Sequence, residues 1–215
     1  MRSYGQYCGL ARALDLIGDR WSLLIVRELL LRDTCRYTDL REGLPGIATN
    51  LLADRLRDLE EAGVVEREAA PPPIATTVFR LTERGRELRP AIHALGQWGG
   101  PLLPADIDDD HVFLDHWLAF PLELGLGDRA RDWPPTTIEV RSGGRVLTAE
   151  VADGAVHSRA GAAEDPDIVV SGPMRLALAA LLGRVPLETA RASGLDVTGR
   201  RDVLRRLRPP ATAAA

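Results

Sequence analysis

The chain has 215 residues, of which 45% are apolar and 27% charged, with a formal net charge of −4. That length allows one large core or two small ones, and no apolar run approaches the length that a membrane-spanning helix needs. All 27 basic residues are arginine, and the first hundred residues balance 14 Arg against 14 Asp plus Glu, so any contact with DNA must rest on a local patch rather than on overall charge. Near the N-terminus Arg12 and Asp15 interrupt the stretch where a secretion signal would have to lie, which predicts a cytoplasmic protein. Its two cysteines, Cys8 and Cys35, are then expected to stay reduced.

Leu10, Leu14 and Ile17 recur at i, i+4 and i+7, which predicts a helix ended by Gly18. Asp19 is placed to cap a second, central helix, with Trp21, Leu24, Ile25 and Leu29 on one face and Leu23, Val26 and Leu30 over much of the rest. A turn over residues 31–34 leads to a short helix over 36–42, with Tyr37 and Leu40 inward and Gly43 and Pro45 as the stop. From Ala48 to Ala62 the leucines Leu52, Leu56 and Leu59 repeat at helical spacing before Gly63. Two helices thus meet across a tight Gly-Leu-Pro-Gly turn, the helix-turn-helix pattern in which the second helix enters the major groove. Its leucine-free side carries Asn50, Ala53, Asp54 and Arg57, with Thr49 at the start and Arg55 beside them, and these six are candidate DNA-binding residues. Asn50 suits adenine, Arg57 suits guanine or phosphate, and Ala53 allows close approach or contact with a thymine methyl.

Residues 64–68 and 77–81 alternate as two strands of a hairpin, whose tip holds Pro71, Pro72 and Pro73 and suits a protruding wing. Arg67 and Arg80 on its flanks are further candidates for phosphate contact. Thr82 then caps a helix along which Leu88, Ile92, Leu95 and Trp98 repeat up to Gly99 and Gly100.

The stretches CGLARALDLIGDRWSLLIVRELL, RYTDLREGLPGIATNLLADRLRDLEEAGVVER and FRLTERGREL resemble the HxlR family of MarR-like bacterial regulators, over roughly residues 8–98. The resemblance implies a winged helix-turn-helix that binds double-stranded DNA as a homodimer. Its outer helices, here 7–17 and 83–98, would pair the subunits over a pseudo-palindromic operator. The Pro-rich wing tip departs from the family's shorter polar turn. Some members sense oxidants through a thiol near the first helix, and Cys8 stands at the matching position. A nearby helix start and Arg12 one turn on favour a reactive thiol there, although a cysteine is also an ordinary small packing residue.

Past Gly100 the segment PLLPADIDDD reads as a linker into a helix from His111 to about Leu124. Asp110, His111, Asp115 and His116 fit that capped helix better than a metal site, because spacing fixes no third ligand. From Thr136 strands alternate around Ile138 and Val140, Leu147 to Val151, Val156 and Ile168 to Val170. Helices then follow from Pro173 and Pro186, with a last strand over 195–197 and a helix over 200–207. This predicts an antiparallel sheet with helices on one side. PDIVVSGP and GLDVTGRRDVLRRL resemble sterol carrier protein type 2, which implies a lipid-binding fold. Leu178, Leu181, Leu182, Leu187 and Val197 then either line an apolar pocket or fill a solid core.

The resulting expectation is an α+β chain. A winged helix-turn-helix over 1–100 is followed by a linker and connecting helix over 101–135, a sterol-carrier-like α/β domain over 136–208, and a disordered tail over 209–215. No catalytic constellation, metal site or cofactor motif is present, which argues against an enzyme. The favoured reading is a dimeric transcription regulator with an apolar small-molecule effector. The alternative is a lipid or small-molecule binding or carrier protein whose N-terminal part only dimerises.

Overall fold

The computed structural model of the chain describes residues 3–69, 76–103, 112–122 and 133–206. The chain divides into two compact units, Met1–Trp98 and Gly99–Ala215.

In the first unit the helices are α1 (Gly9–Ile17), α2 (Ser22–Arg32), α3 (Tyr37–Gly43), α4 (Thr49–Glu61), α5 (Glu83–Arg86) and α6 (Arg89–Gly99). The strands are β1 (Thr34–Arg36), β2 (Val65–Ala69) and β3 (Thr77–Leu81), in the sheet order β1-β3-β2. Ile25, Val26 and Leu29 of α2 are at most 1% exposed and form the centre of the core with Leu40, Leu52 and Leu59. Buried among them, Glu28 takes Arg27 at 2.7 Å and Arg32 at 3.8 Å, which keeps its charge paired where water cannot reach it.

Three expectations for this unit are corrected. Asp19 does not cap α2 with its side chain: the N-cap is Trp21, Ser22 N–H donates to the Asp19 main-chain oxygen, and the carboxylate pairs with Arg55 instead. The supposed turn before α3 holds a third strand, β1, which pairs antiparallel with β3 in the register Cys35↔Phe79. Three residues carry too little alternation to announce a strand; only the partner supplies its ladder. The last predicted helix is two helices, because Pro90 is tolerated in a first turn but not in a helix interior. Thr82 does cap the first of them, its Oγ1 accepting from Gly85 N–H at 3.0 Å. The apolar stripe of α1 is left largely uncovered in the single chain, with Leu10 69% and Leu14 41% exposed.

The second unit begins with a 3-10 turn (Gly100–Leu102) and contains another (Asp115–Leu118) that continues as helix through residue 122. Of the helix expected from His111 to about Leu124, residues 112–122 are described, and of these 112–114 are not helical. Asp108, Asp109, Asp110 and His111 lie outside the described residues, as do the three prolines of the wing tip. Asp115 pairs with Arg145 at 3.0 Å.

Five strands follow: β4 (Thr136–Ser142), β5 (Arg145–Ala152), β6 (Ala155–Ala160), β7 (Ile168–Ser171) and β8 (Asp196–Gly199), in the order β6-β5-β4-β7-β8. The sheet is mixed rather than antiparallel, since β4 and β7 run parallel. Residues 161–167 carry the chain from β6 at one edge of the sheet to β7 on the far side of β4, and polar side chains hold them there. Thr148 Oγ1 donates to Gly161 O, and Ala163 N–H donates to buried Glu139, both at 2.8 Å. The other face is apolar: Ile138, Val140, Leu147, Ala149, Ile168, Val170 and Val197 are at most 2% exposed. Helices α7 (Met174–Leu181), α8 (Leu187–Ala192) and α9 (Arg201–Arg206) complete the unit, with Met174, Ala177 and Leu181 of α7 buried. Among the described residues no helix is long and apolar enough to cross a membrane.

Candidate nucleic-acid interface

Helix α4 starts without a side-chain cap at Ala48, and its first turn is fixed from outside: Tyr37 Oη of α3 donates to Thr49 O at 2.6 Å. Between the two helices, Leu44 and Ile47 are buried at 1% and 9% exposure, so the turn is itself part of the core. At the far end Gly63 adopts φ +67, and Val64 N–H donates back to Leu59 O, the left-handed stop that favours glycine. Leu52, Leu56 and Leu59 anchor the inner side at 0–3% exposure. The orientation of α4 is therefore determined along its whole length.

On the opposite side Thr49, Asn50, Asp54 and Arg57 are exposed and Ala53 is half-buried, so these five lie along one accessible strip. Arg57 pairs with Asp54 at 3.0 Å, both side chains more than half exposed. Arg67 on β2 reaches Glu60 of α4 at 2.7 Å, and Arg80 on β3 lies 3.2 Å from Glu66 and 3.1 Å from Glu68. These arginines are neutralised locally, the spatial counterpart of the even charge count. Arg57–Asp54 is an exposed pair, which contributes only about 0–1 kcal/mol, so a phosphate can replace the Asp54 carboxylate at small cost, whereas Glu60 beside Arg67 is only 17% exposed. Arg55 differs from them. Its side chain is only 21% exposed and pairs with Asp19 and Asp58, which turns it away from the strip.

The two thiols are in contrasting settings. Cys8 is exposed at the N-cap of α1, whereas Cys35 is buried in β1, where burial first of all, with the nearby carboxylates of Glu28, Asp39 and Asp33, pushes its thiol up to about 12. At neutral pH a maleimide is expected to label Cys8 and to reach Cys35 only after denaturation, a contrast that mass spectrometry reads directly. The unfolded chain, with the ordinary value of 9.0, loses the Cys35 proton first as pH rises. Stability from this group is therefore complete below about pH 9 and declines as pH climbs toward about 12. Urea unfolding at pH 8 and pH 10 should show a steeper loss for the native chain than for Cys35→Ala.

In the second unit Leu181 and Val197 are buried, while Leu178, Leu182 and Leu187 are half-buried. Leu187 borders an open groove of about 520 Å3 shared with Glu188, Arg191, Arg201, Leu204 and Arg205. None of the other four candidate pocket residues lines this groove.

Sequence reasoning missed Tyr37 as the tie between α3 and α4, and Asp19 as the partner of Arg55. Neither leaves a periodic signal, since the partners are 12 and 36 residues apart.

The HxlR-like helix-turn-helix family matches residues 16–106. An HTH-type transcriptional regulator of Synechocystis is 35% identical over 99 residues, covering 46% of this chain and 73% of that protein. The HTH-type transcriptional regulator YodB of Bacillus subtilis is 33% identical over 86 residues, 40% of this chain and 76% of its own length. A Mycobacterium tuberculosis regulator is 43% identical over 93 residues, and there the match spans 58% of the relative. Among solved structures, reduced YodB superimposes with a TM-score of 0.40 at 30% identity, over 44% of this chain and 92% of that one. With two curated regulators matched at 33–35% identity over roughly three quarters of their own lengths, the chain belongs to the HxlR-like family of helix-turn-helix transcriptional regulators.

Proposed function

We propose that the protein is a homodimeric transcription regulator that reads a pseudo-palindromic operator with the exposed strip of α4. The observation that carries this reading is the division of α4 into an anchored leucine side and an accessible side bearing Thr49, Asn50, Ala53, Asp54 and Arg57. Asn50 and Arg57 carry the side-chain groups that suit adenine and guanine edges, and Arg67 and Arg80 are the flanking candidates for phosphate. The exposed stripe of Leu10 and Leu14 on α1, with Leu95 and Trp98 on α6 at 52% and 76% exposure, supports pairing of two copies through these outer helices. Cys8, the exposed thiol, is the candidate for redox sensing, and the cytoplasm the expected compartment.

For the second unit, the reading is a sterol-carrier-like module that takes an apolar effector. Its apolar sheet face, and the partial exposure of Leu178, Leu182 and Leu187 beside buried Leu181 and Val197, support this. An effector alters regulation only by binding the two dimer geometries unequally.

Genomic selection with the full chain tests the central reading, and it should enrich a two-fold symmetric sequence. On that sequence Arg57→Ala is expected to weaken binding by about tenfold or more, with relaxed specificity if it reads a base or a salt slope shallower by about one if it contacts phosphate. A protein that ignores all DNA at low salt would end the regulator reading.

A further inference from the structure

Arg55 is the one arginine of the recognition helix that reaches the α1–α2 turn among the described residues. Its Nη1 donates to Asp19 Oδ2 in that turn and, at 2.7 Å, to Asp58 Oδ2 one helical turn further along α4. Asp19 is itself rigidly carried. Gly18 N–H donates to Leu14 O at 2.9 Å and Ser22 N–H donates to Asp19 O at 3.2 Å, so the carboxylate moves with the end of α1. Helix α1 buries only Ala11 and Asp15, which leaves little apolar packing to fix its angle against the rest of the unit. A doubly paired, mostly shielded guanidinium is a much stiffer tie than an exposed pair such as Arg57–Asp54.

We propose that Arg55 is a positioning residue: its bridge from Asp19 to Asp58 sets the angle of the recognition helix against α1. In a dimer formed through α1, this fixes the spacing of the two recognition helices. The inference rests on the dimeric reading above, because the bridge matters for DNA only if α1 carries the partner subunit. Arg55 then contributes to operator affinity without touching the operator.

The two roles available to Arg55 give opposite signs for one substitution at its partner. If Arg55 gripped phosphate, Asp19→Asn would release the guanidinium and remove a negative charge, and affinity would hold or rise. As a positioning bridge, Asp19→Asn should weaken operator binding by about tenfold, and Arg55→Gln should do so by a similar factor. The Asp19→Asn/Arg55→Gln pair should be no weaker than either single variant, and Arg55→Lys should recover most of the loss. The slope of log affinity against log salt should match the native protein throughout, whereas loss of a phosphate contact flattens it by about one. A readout without DNA accompanies this: spin labels at Asp54→Cys in a Cys8→Ser background report the distance between the two recognition helices, and Asp19→Asn should broaden it. Unchanged or improved affinity for Asp19→Asn, a flattened slope for Arg55→Gln, or an unaltered label distance overturns the inference while leaving the regulator reading intact. If the native protein binds no DNA, that reading fails and the label distance decides the inference alone; a protein that forms no dimer sinks both.

Discussion

Leu10→Glu combined with Leu14→Glu should yield a folded monomer whose operator affinity is at least about a hundredfold below that of the native protein. Both side chains already face water in the single chain, at 69% and 41% exposure, so the change removes no core packing and leaves each protomer's stability nearly unaltered. In the proposed dimer the partner would cover the same positions, and two carboxylates per protomer would have to be stripped of water against apolar neighbours. Losing the dimer also removes the second recognition helix, and the tethering of two weak half-site contacts is typically worth about a hundred- to ten-thousandfold in affinity. Sedimentation equilibrium reads the oligomer and fluorescence anisotropy the operator affinity. A variant that remains dimeric and binds as before would show that the α1 stripe is not the pairing surface.

Gly85→Ala should destabilise the N-terminal unit by about 3 kcal/mol, lowering its unfolding midpoint on the order of 15 °C. A Cβ there would stand 2.1 Å from Val64 O and 3.1 Å from Leu81 Cδ2. The Val64 oxygen is backbone at the root of the wing and already accepts from Thr82 N at 3.1 Å and Thr82 Oγ1 at 3.2 Å, so it cannot move aside without loosening the cap of α5. Gly99→Ala is the matched control: a Cβ meets nothing within 4 Å, and the midpoint should hold or rise slightly. Thermal unfolding followed by circular dichroism separates the two. Equal midpoints would show that the wing root yields easily.

The leucine ladder of α4 and the capping threonine of α5 could be read directly because their information is local: an i, i+4, i+7 repeat names an inner side, and Thr82 lies three residues before the amide it receives. The exposed strip follows by subtraction, so Thr49, Asn50, Asp54 and Arg57 were all accessible to reasoning from periodicity. Arg55 shows where that stops. It neighbours the strip in sequence, and nothing within a helical turn indicates that its guanidinium is drawn to Asp19, 36 residues earlier. In the second unit, strand alternation gave the apolar face but not the parallel pairing of β4 with β7. That pairing depends on where residues 161–167 cross, and the crossing is held by Glu139 and Thr148, polar residues that alternation alone assigns to solvent.

By itself the sequence determined most of the longer helices and strands, the inner side of the recognition helix, and the helix-turn-helix order of a regulator of this family, because these depend on spacings of a few residues; it missed β1 and the break at Pro90. The tertiary structure alone decided the partners of the charges: which arginines stay accessible to a phosphate and which is tied back into the protein. Ion pairs form between groups brought together by the packing of distant segments, and a chain with balanced charge contains far more potential pairs than the fold can make.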